Sequence, residues 1–248
     1  MRLGKIIFGL SVLAVALELA GGLATRLGLW HFRTGLKAFI LGGQLGAAVA
    51  VAAFIVLLIS VFGGRARTGK IWASLGLLIG AGAFLPIYIF KSRVDAVPRI
   101  HNITTDTNNP PVFDRITRKP DENPLLYEGG EVARLQEQAY PEIQTRIVSL
   151  PVKDTFAKAL QVVQSLGWKV AAADLARGHI EATDTTLFFG FKDDVVIRIL
   201  ATAPNESKID VRSVSRVGLS DLGVNAERIQ RFFMRLKDST PVSDAVAP

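Results

Sequence analysis

Three apolar runs near the N-terminus limit what this chain can become more than any other feature. Ile6 to Ala24 is interrupted only by Glu18, Phe39 to Phe62 only by Gln44, and Ile71 to Phe90 by no charged residue. Each is long enough to cross a hydrocarbon core of about 30 Å at about 1.5 Å per residue. Basic residues bracket the runs: Arg2 and Lys5, Arg26 with Arg33 and Lys37, Arg65 with Arg67 and Lys70, and Lys91 with Arg93. A cleaved signal peptide competes only for the first run. Two more runs follow it, so residues 1–97 read as a membrane domain with transmembrane helices at about 6–24, 39–62 and 71–90.

The charge distribution agrees. The net charge is +7, with 29 Lys/Arg against 22 Asp/Glu. Residues 1–97 carry 10 of the Lys/Arg and 2 of the Asp/Glu, while residues 98–248 carry 19 and 20. The basicity therefore flanks membrane spans and does not form a patch on a folded domain, which argues against nucleic acid as a partner. The chain has no Cys, which excludes disulfides, thiol catalysis, Cys-based zinc sites and a lipidated N-terminal Cys.

Orientation is balanced on Lys/Arg counts, since five fall on each side of the three spans. The Arg2/Lys5 start of the first helix favours a cytoplasmic N-terminus and, after three crossings, a periplasmic C-terminal domain in the bacterial inner membrane. Gly42/Gly46 and Gly76/Gly80 have the spacing that lets helices approach closely, either within this bundle or in a homo-oligomer. Glu18 is the only acid inside a span. It is a functional candidate by cost of burial, or an interfacial carboxylate reaching Arg26 or Arg33. Pro86 is expected to kink the third helix.

Residues 98–141 form an extended approach segment rich in Pro, Asn, Asp and Thr, with a short helix expected over 131–139. His101, Thr104, Thr105 and Asp106 cluster there as ligand candidates or as local turn formers. Residues 142–237 then read as strand, helix, four strands, helix. The expected fold class is α+β: three transmembrane helices, then a β-α-β-β-β-β-α domain whose antiparallel sheet carries both helices on one face. In the last helix Ile229, Phe232, Phe233 and Leu236 are placed inward, and Glu227, Arg228, Arg231 and Arg235 outward. The sheet's second face would show Glu181, Thr183, Arg198, Asp210 and Arg212, either solvated and ion-paired or docking the approach segment or a partner. Residues 238–248 read as a disordered tail.

Several segments carry a resemblance. IHNITTDTNNPPVF at 100–113, NPLLY at 123–127, QAYPEI at 138–143, GWKVAAAD at 167–174, GHIEATDTTLFFGFKDDVVIRI at 178–199 and VRSVSRVGLSDLGVNAERI at 211–229 resemble the bacterial and plastid family catalogued as domain of unknown function 1499. The resemblance covers about residues 98–237. It implies an exported or membrane-anchored domain and supplies no catalytic residues.

The chemistry is sparse. Ser213, Ser215, Arg216, Ser220, Asp221 and Asn225 surround Gly218 and Gly223 ahead of a helix, with Lys192 and His101 as further candidate ligand-binding residues. Together they suit a small anion at a helix start, or simple N-capping by Ser220, Asp221 or Asn225. Phe188 to Lys192 reads as an aromatic hairpin tip, packed in a core or lying as a lip on a pocket or bilayer. Asp193 and Asp194 are adjacent in a strand and so point to opposite faces. A Ser-His-Asp set can be written from His179, Asp184 and Ser213, but no nucleophile-elbow sequence supports it. The His residues lack metal-ligand spacing, and neither a phosphate loop nor a dinucleotide fingerprint is present, so no metal and no cofactor is expected. The leading reading is a membrane-anchored, non-enzymatic envelope module binding a protein, lipid or small anion. The alternatives are an envelope hydrolase using the loop 213–225, and a transport accessory subunit.

Overall fold

The computed structural model describes residues 2–62 and 67–238, and the chain divides into two compact units. Of the tail expected at 238–248, residue 238 is helical and residues 239–248 lie outside the described residues, as does the basic loop residue Arg65.

The first unit holds α1 (Arg2–Arg26), α2 (Phe32–Phe62) and α3 (Arg67–Ala96), each long and apolar enough to cross a membrane. The helices pack pairwise, all three against one another. Glycine makes this possible. A Cβ on Gly42 would sit 2.6 Å from the Ala14 carbonyl, and one on Gly46 would sit 2.8 Å from the Gly80 carbonyl. Gly76 and Gly80 likewise meet Ile7 and the Gly46 backbone, so all four glycines face a neighbouring helix of the same chain. α3 runs on through Pro86. Glu18 departs from one expectation. It is buried, packs on Gly42 and Gly43, and forms no ion pair with Arg26 or Arg33 among the described residues. It lies eight residues before the helix end and turns toward α2, away from the basic rim. The unit also takes in residues 186–190. The Phe188 and Phe189 rings lie 6.1 and 5.6 Å from the Phe39 ring, edge-on, and Arg26 donates to the Thr186 and Leu187 carbonyls.

The second unit is built on a six-stranded antiparallel sheet: β1 (Asn102–Thr104), β2 (Arg146–Val148), β3 (Lys169–Asp174), β4 (His179–Thr185), β5 (Lys192–Ala203) and β6 (Glu206–Ser215). The order is β1-β6-β5-β4-β3, with β2 sharing the outer edge of β6. β1 pairs with residues 212–214 and β2 with residues 207–209. Thr105 fills the gap between them: it exchanges bonds with the Val211 backbone, and its carbonyl accepts the Thr145 N–H. Gly178, at φ 60, makes the β3–β4 turn, where a Cβ would strike the Ile199 carbonyl at 2.0 Å.

Helices α5 (Val152–Ser165) and α6 (Val224–Asp238) pack on one face. Strand alternation sends Ile180, Ala182, Val195, Ile197, Ile199, Ile209 and Val211 to that side. They meet Phe156, Val162 and Val163 of α5 and Ile229, Phe232 and Leu236 of α6. Each Val, Ile, Leu or Phe among them, once buried, contributes roughly 1.5–3 kcal/mol.

The approach segment holds two elements. β1 was not foreseen, because three residues among turn formers give no readable alternation. The other is α4 (Gly130–Ala139). The buried Gln136 of α4 accepts from the Thr104 N–H at 2.9 Å and donates to its carbonyl at 2.7 Å, closing the free edge of β1. The strand expected to open the 142–237 domain shortens to β2. A turn at Tyr140–Ile143 precedes it, and residues 143–145 carry no strand.

Candidate functional site

The chemistry of the second unit lies in two polar layers, one on each side of the sheet. On the helix side, β4, β5 and β6 run out of apolar residues at one end. The register there sets Asp184 opposite Asp193, and Asp193 opposite Ser215. Arg228 of α6, 1% exposed, reaches into this end. It bonds Asp184 at 2.9 Å, Asp193 at 2.6 Å, Ser213 Oγ at 3.2 Å and Asn225 Oδ1 at 2.5 Å. Asn225 also accepts from Ser213 Oγ and donates to Ser215 Oγ and the His101 carbonyl. The outward placement of Arg228 expected from sequence is therefore corrected. Arg228 lies three residues after Asn225, on the same helical face, and buried carboxylates meet it there.

On the opposite side, His179, Glu181, Thr183, Asp194, Arg198, Asp210 and Arg212 face residues 105–128, which run across them as a strap. The Glu181 carboxylate accepts the backbone N–H groups of Asp114, Arg115 and Ile116 at 2.5, 3.0 and 2.7 Å, and contacts His179 Nε2 at 2.8 Å. Burial alone would raise this carboxyl, yet the His179 ring and the three amides hold it down at about 2. Arg212, 2% exposed, lies within 5.6 Å of the Phe113 ring centre and 5.5 Å of that of Tyr127. It donates to Asn102 Oδ1 and to the carbonyls of Pro111 and Leu125. Burial lowers its guanidinium to about 10, and nearby Glu128 opposes that shift. Arg198 joins Asp210 to Asp106 and the Asn109 carbonyl. Asp194 takes Thr183 at 2.6 Å, Arg216 at 3.0 Å and Arg118 at 2.9 Å.

The sequence-derived candidates are thus divided. Ser213, Ser215 and Asn225 come together around Arg228, a residue the sequence reading had turned outward. Arg216 belongs to the other layer, with Asp194 and Glu122. Ser220 accepts the Leu222 N–H and donates to the Pro98 carbonyl. Asp221 receives the N–H groups of Gly223 and Asn225 at the start of α6. Lys192 is exposed at the head of β5, and its carbonyl accepts the Arg216 N–H. His101 bonds through its main chain, while its Nε2 lies 3.5 Å from Glu128. The paper triad is not assembled: His179 stands beside Glu181 on the strap side, whereas Ser213 and Asp184 both bind Arg228 on the helix side. Among the described residues no group of His, Asp and Glu is placed to hold a metal.

These features define an α+β domain whose charged sheet face is closed by its own chain, on a polypeptide with three helices of membrane-spanning length. The chain belongs to the family described as protein of unknown function (DUF1499), whose profile matches residues 102–236, over half of the sequence. That span opens at β1 and ends in α6, so the strap lies inside the matched residues. A search of curated proteins finds no match for the chain.

Proposed function

We propose that this chain is a non-catalytic binding or assembly module of the cell envelope. In this reading α1–α3 hold it in a bacterial inner membrane and the α+β domain lies on the periplasmic side, with the N-terminus cytoplasmic. The supporting observation is that Ser213, Ser215, Asn225, Arg216 and Arg228 bond inside the domain and are split between two layers. Ser213 is hydrogen-bonded to Asn225 and Arg228, with no imidazole near it in either bond. Arg216 and Arg228 direct their N–H groups to carboxylates within the fold, which favours a protein partner over a small anion. The surface instead offers Val112, Leu126 and Leu219, each at least 72% exposed, side chains that suit a protein contact.

Photo-crosslinking in cells from Leu126 and Leu219 tests this. A discrete envelope-protein adduct is expected at one or both positions, and no protein adduct at either overturns the reading. Turnover of ester, phosphoester or peptide substrates that disappears in Ser213→Ala would establish the hydrolase instead. Fusions of alkaline phosphatase and of a fluorescent protein after Lys237 test the side. Phosphatase activity without fluorescence is expected.

A further inference from the structure

The first unit carries a groove of about 690 Å³ lined by Gln44 of α2 and by Phe84, Ile87, Tyr88, Lys91, Ser92 and Asp95 of α3, within the range of about 300–1,000 Å³ typical of small-molecule sites. Beside it α2 and α3 pack closely at Gly43, where a Cβ would lie 2.3 Å from an Ile87 methyl.

The lining is ordered along the helix axis. Phe84 and Tyr88 present a broad aromatic surface, with ring centres 5.9 Å apart. Gln44 sits beside them, exposed in an otherwise apolar run, and its amide has no hydrogen-bond partner among the described residues. A polar amide facing hydrocarbon is costly unless something bonds it. Beyond the apolar stretch come Lys91 and Ser92, then Asp95, each step rising about 5 Å along the helix. Lys91 and Asp95 stand four residues apart on the same side, are exposed, and form no ion pair among the described residues.

This sequence of chemistry matches one kind of amphiphile. We infer that the groove between α2 and α3 binds a single glycerophospholipid with a phosphoethanolamine headgroup. An acyl chain lies along Phe84 and Tyr88. The glycerol ester level meets the Gln44 amide, the phosphate meets Lys91, and the terminal ammonium meets Asp95. Snorkelling to the interface would account for Lys91 alone. It does not account for an unbonded Gln44 below it or for a carboxylate one turn above. Asp95 also separates this lipid from purely anionic ones, because a headgroup without an ammonium would bring negative charge toward that carboxylate.

The test is native mass spectrometry of the full-length protein in detergent, titrated with phosphatidylethanolamine and phosphatidylglycerol of matched acyl chains. One retained phosphatidylethanolamine per chain is expected, about fivefold preferred over phosphatidylglycerol, the size of one exposed ion pair. Asp95→Asn should erase or reverse that preference, and Gln44→Leu should weaken both lipids together. Both positions are exposed, so the variants keep the bundle intact. Equal retention of the two lipids by the wild type, retention of neither, or an unchanged preference in Asp95→Asn would each overturn the inference.

Discussion

The two faces of the sheet in the second unit are closed by different physics. On one, Ile180, Val195, Ile197, Ile209 and Val211 meet the apolar sides of α5 and α6. On the other, Glu181, Arg198 and Arg212 bond the backbone of the 105–128 strap, while Asp194 and Asp210 take the side chains of its Arg118 and Thr105. Apolar closure is non-directional and tolerates substitution of similar volume. Polar closure is not tolerant, because a buried network with one member missing leaves its other members desolvated and unpaired. The helix side therefore fixes that the domain folds. The strap side fixes where one irregular stretch of chain must lie.

Breaking the comparison at its centre should give the largest effect. Arg212→Ala removes the guanidinium between Phe113 and Tyr127 and leaves Asn102 Oδ1 and two carbonyls without their donor. A loss of about 3–5 kcal/mol is expected, as for other broken buried charged networks. Ile197→Ala, on the helix side, should cost about 2–5 kcal/mol through its cavity. The two are distinguished by where they act. Hydrogen exchange on the full-length protein in detergent should show Arg212→Ala releasing amides of 105–128 while β5 stays protected, and Ile197→Ala loosening strap and sheet together. Strap amides as slow as wild type in Arg212→Ala would mean that the charged layer does not hold the strap.

A smaller effect is expected at Glu181. Burial pushes its carboxyl up, but the His179 ring and the three strap amides win and bring it from 4.5 down to about 2. The folded value lies below the unfolded one, so its contribution is present above about pH 4.5 and is lost as pH falls through about 2. Glu181→Gln keeps one acceptor but turns a donor toward the amides. It should weaken strap attachment by about 1–3 kcal/mol at neutral pH. Exchange of the Asp114–Ile116 amides, corrected for intrinsic rates, should differ between variant and wild type at pH 6 and converge toward pH 2. A constant difference across that range would show that the charge of Glu181 plays no part.

The contrast between the faces also explains what was legible in the sequence. The membrane helices and the helix-side core were readable because apolar residues recur at fixed periods: about twenty in a row for a span, every second residue in β5 and β6. That Asp193 and Asp194 part to opposite faces followed from the same alternation, and they do, to Arg228 and Arg216. The charged strap side carried the same period but left its partner open, since an alternating charged face reads alike whether water or chain covers it. Arg228 was misplaced for a related reason. A lone Arg on an amphipathic helix belongs outside unless carboxylates wait for it, and Asp184 and Asp193 are about forty residues earlier in the chain. β1 was unreadable because its stability comes from β6 on one side and the Gln136 side chain on the other, not from its own three residues.

Asp221 gives the smallest and most discriminating prediction, because it makes the two faces answer acid in opposite directions. It heads α6, on the helix side, and accepts the Gly223 and Asn225 amides. Burial outweighs those bonds and raises its carboxyl from 3.8 to about 6. Here the folded value lies above the unfolded one, so the contribution is fully present below about pH 3.8 and is lost as pH rises through about 6. Acidification from pH 7 to 4 should therefore tighten the first turn of α6, while further acidification toward pH 2 loosens the strap through Glu181. Asp221→Asn retains a capping oxygen and stays neutral throughout, so it removes the pH dependence that this group carries. The acid-induced protection of the Val224–Glu227 amides should disappear with it. Retention of that protection in the variant would assign the response to another group and leave the opposition between the faces resting on Glu181 alone.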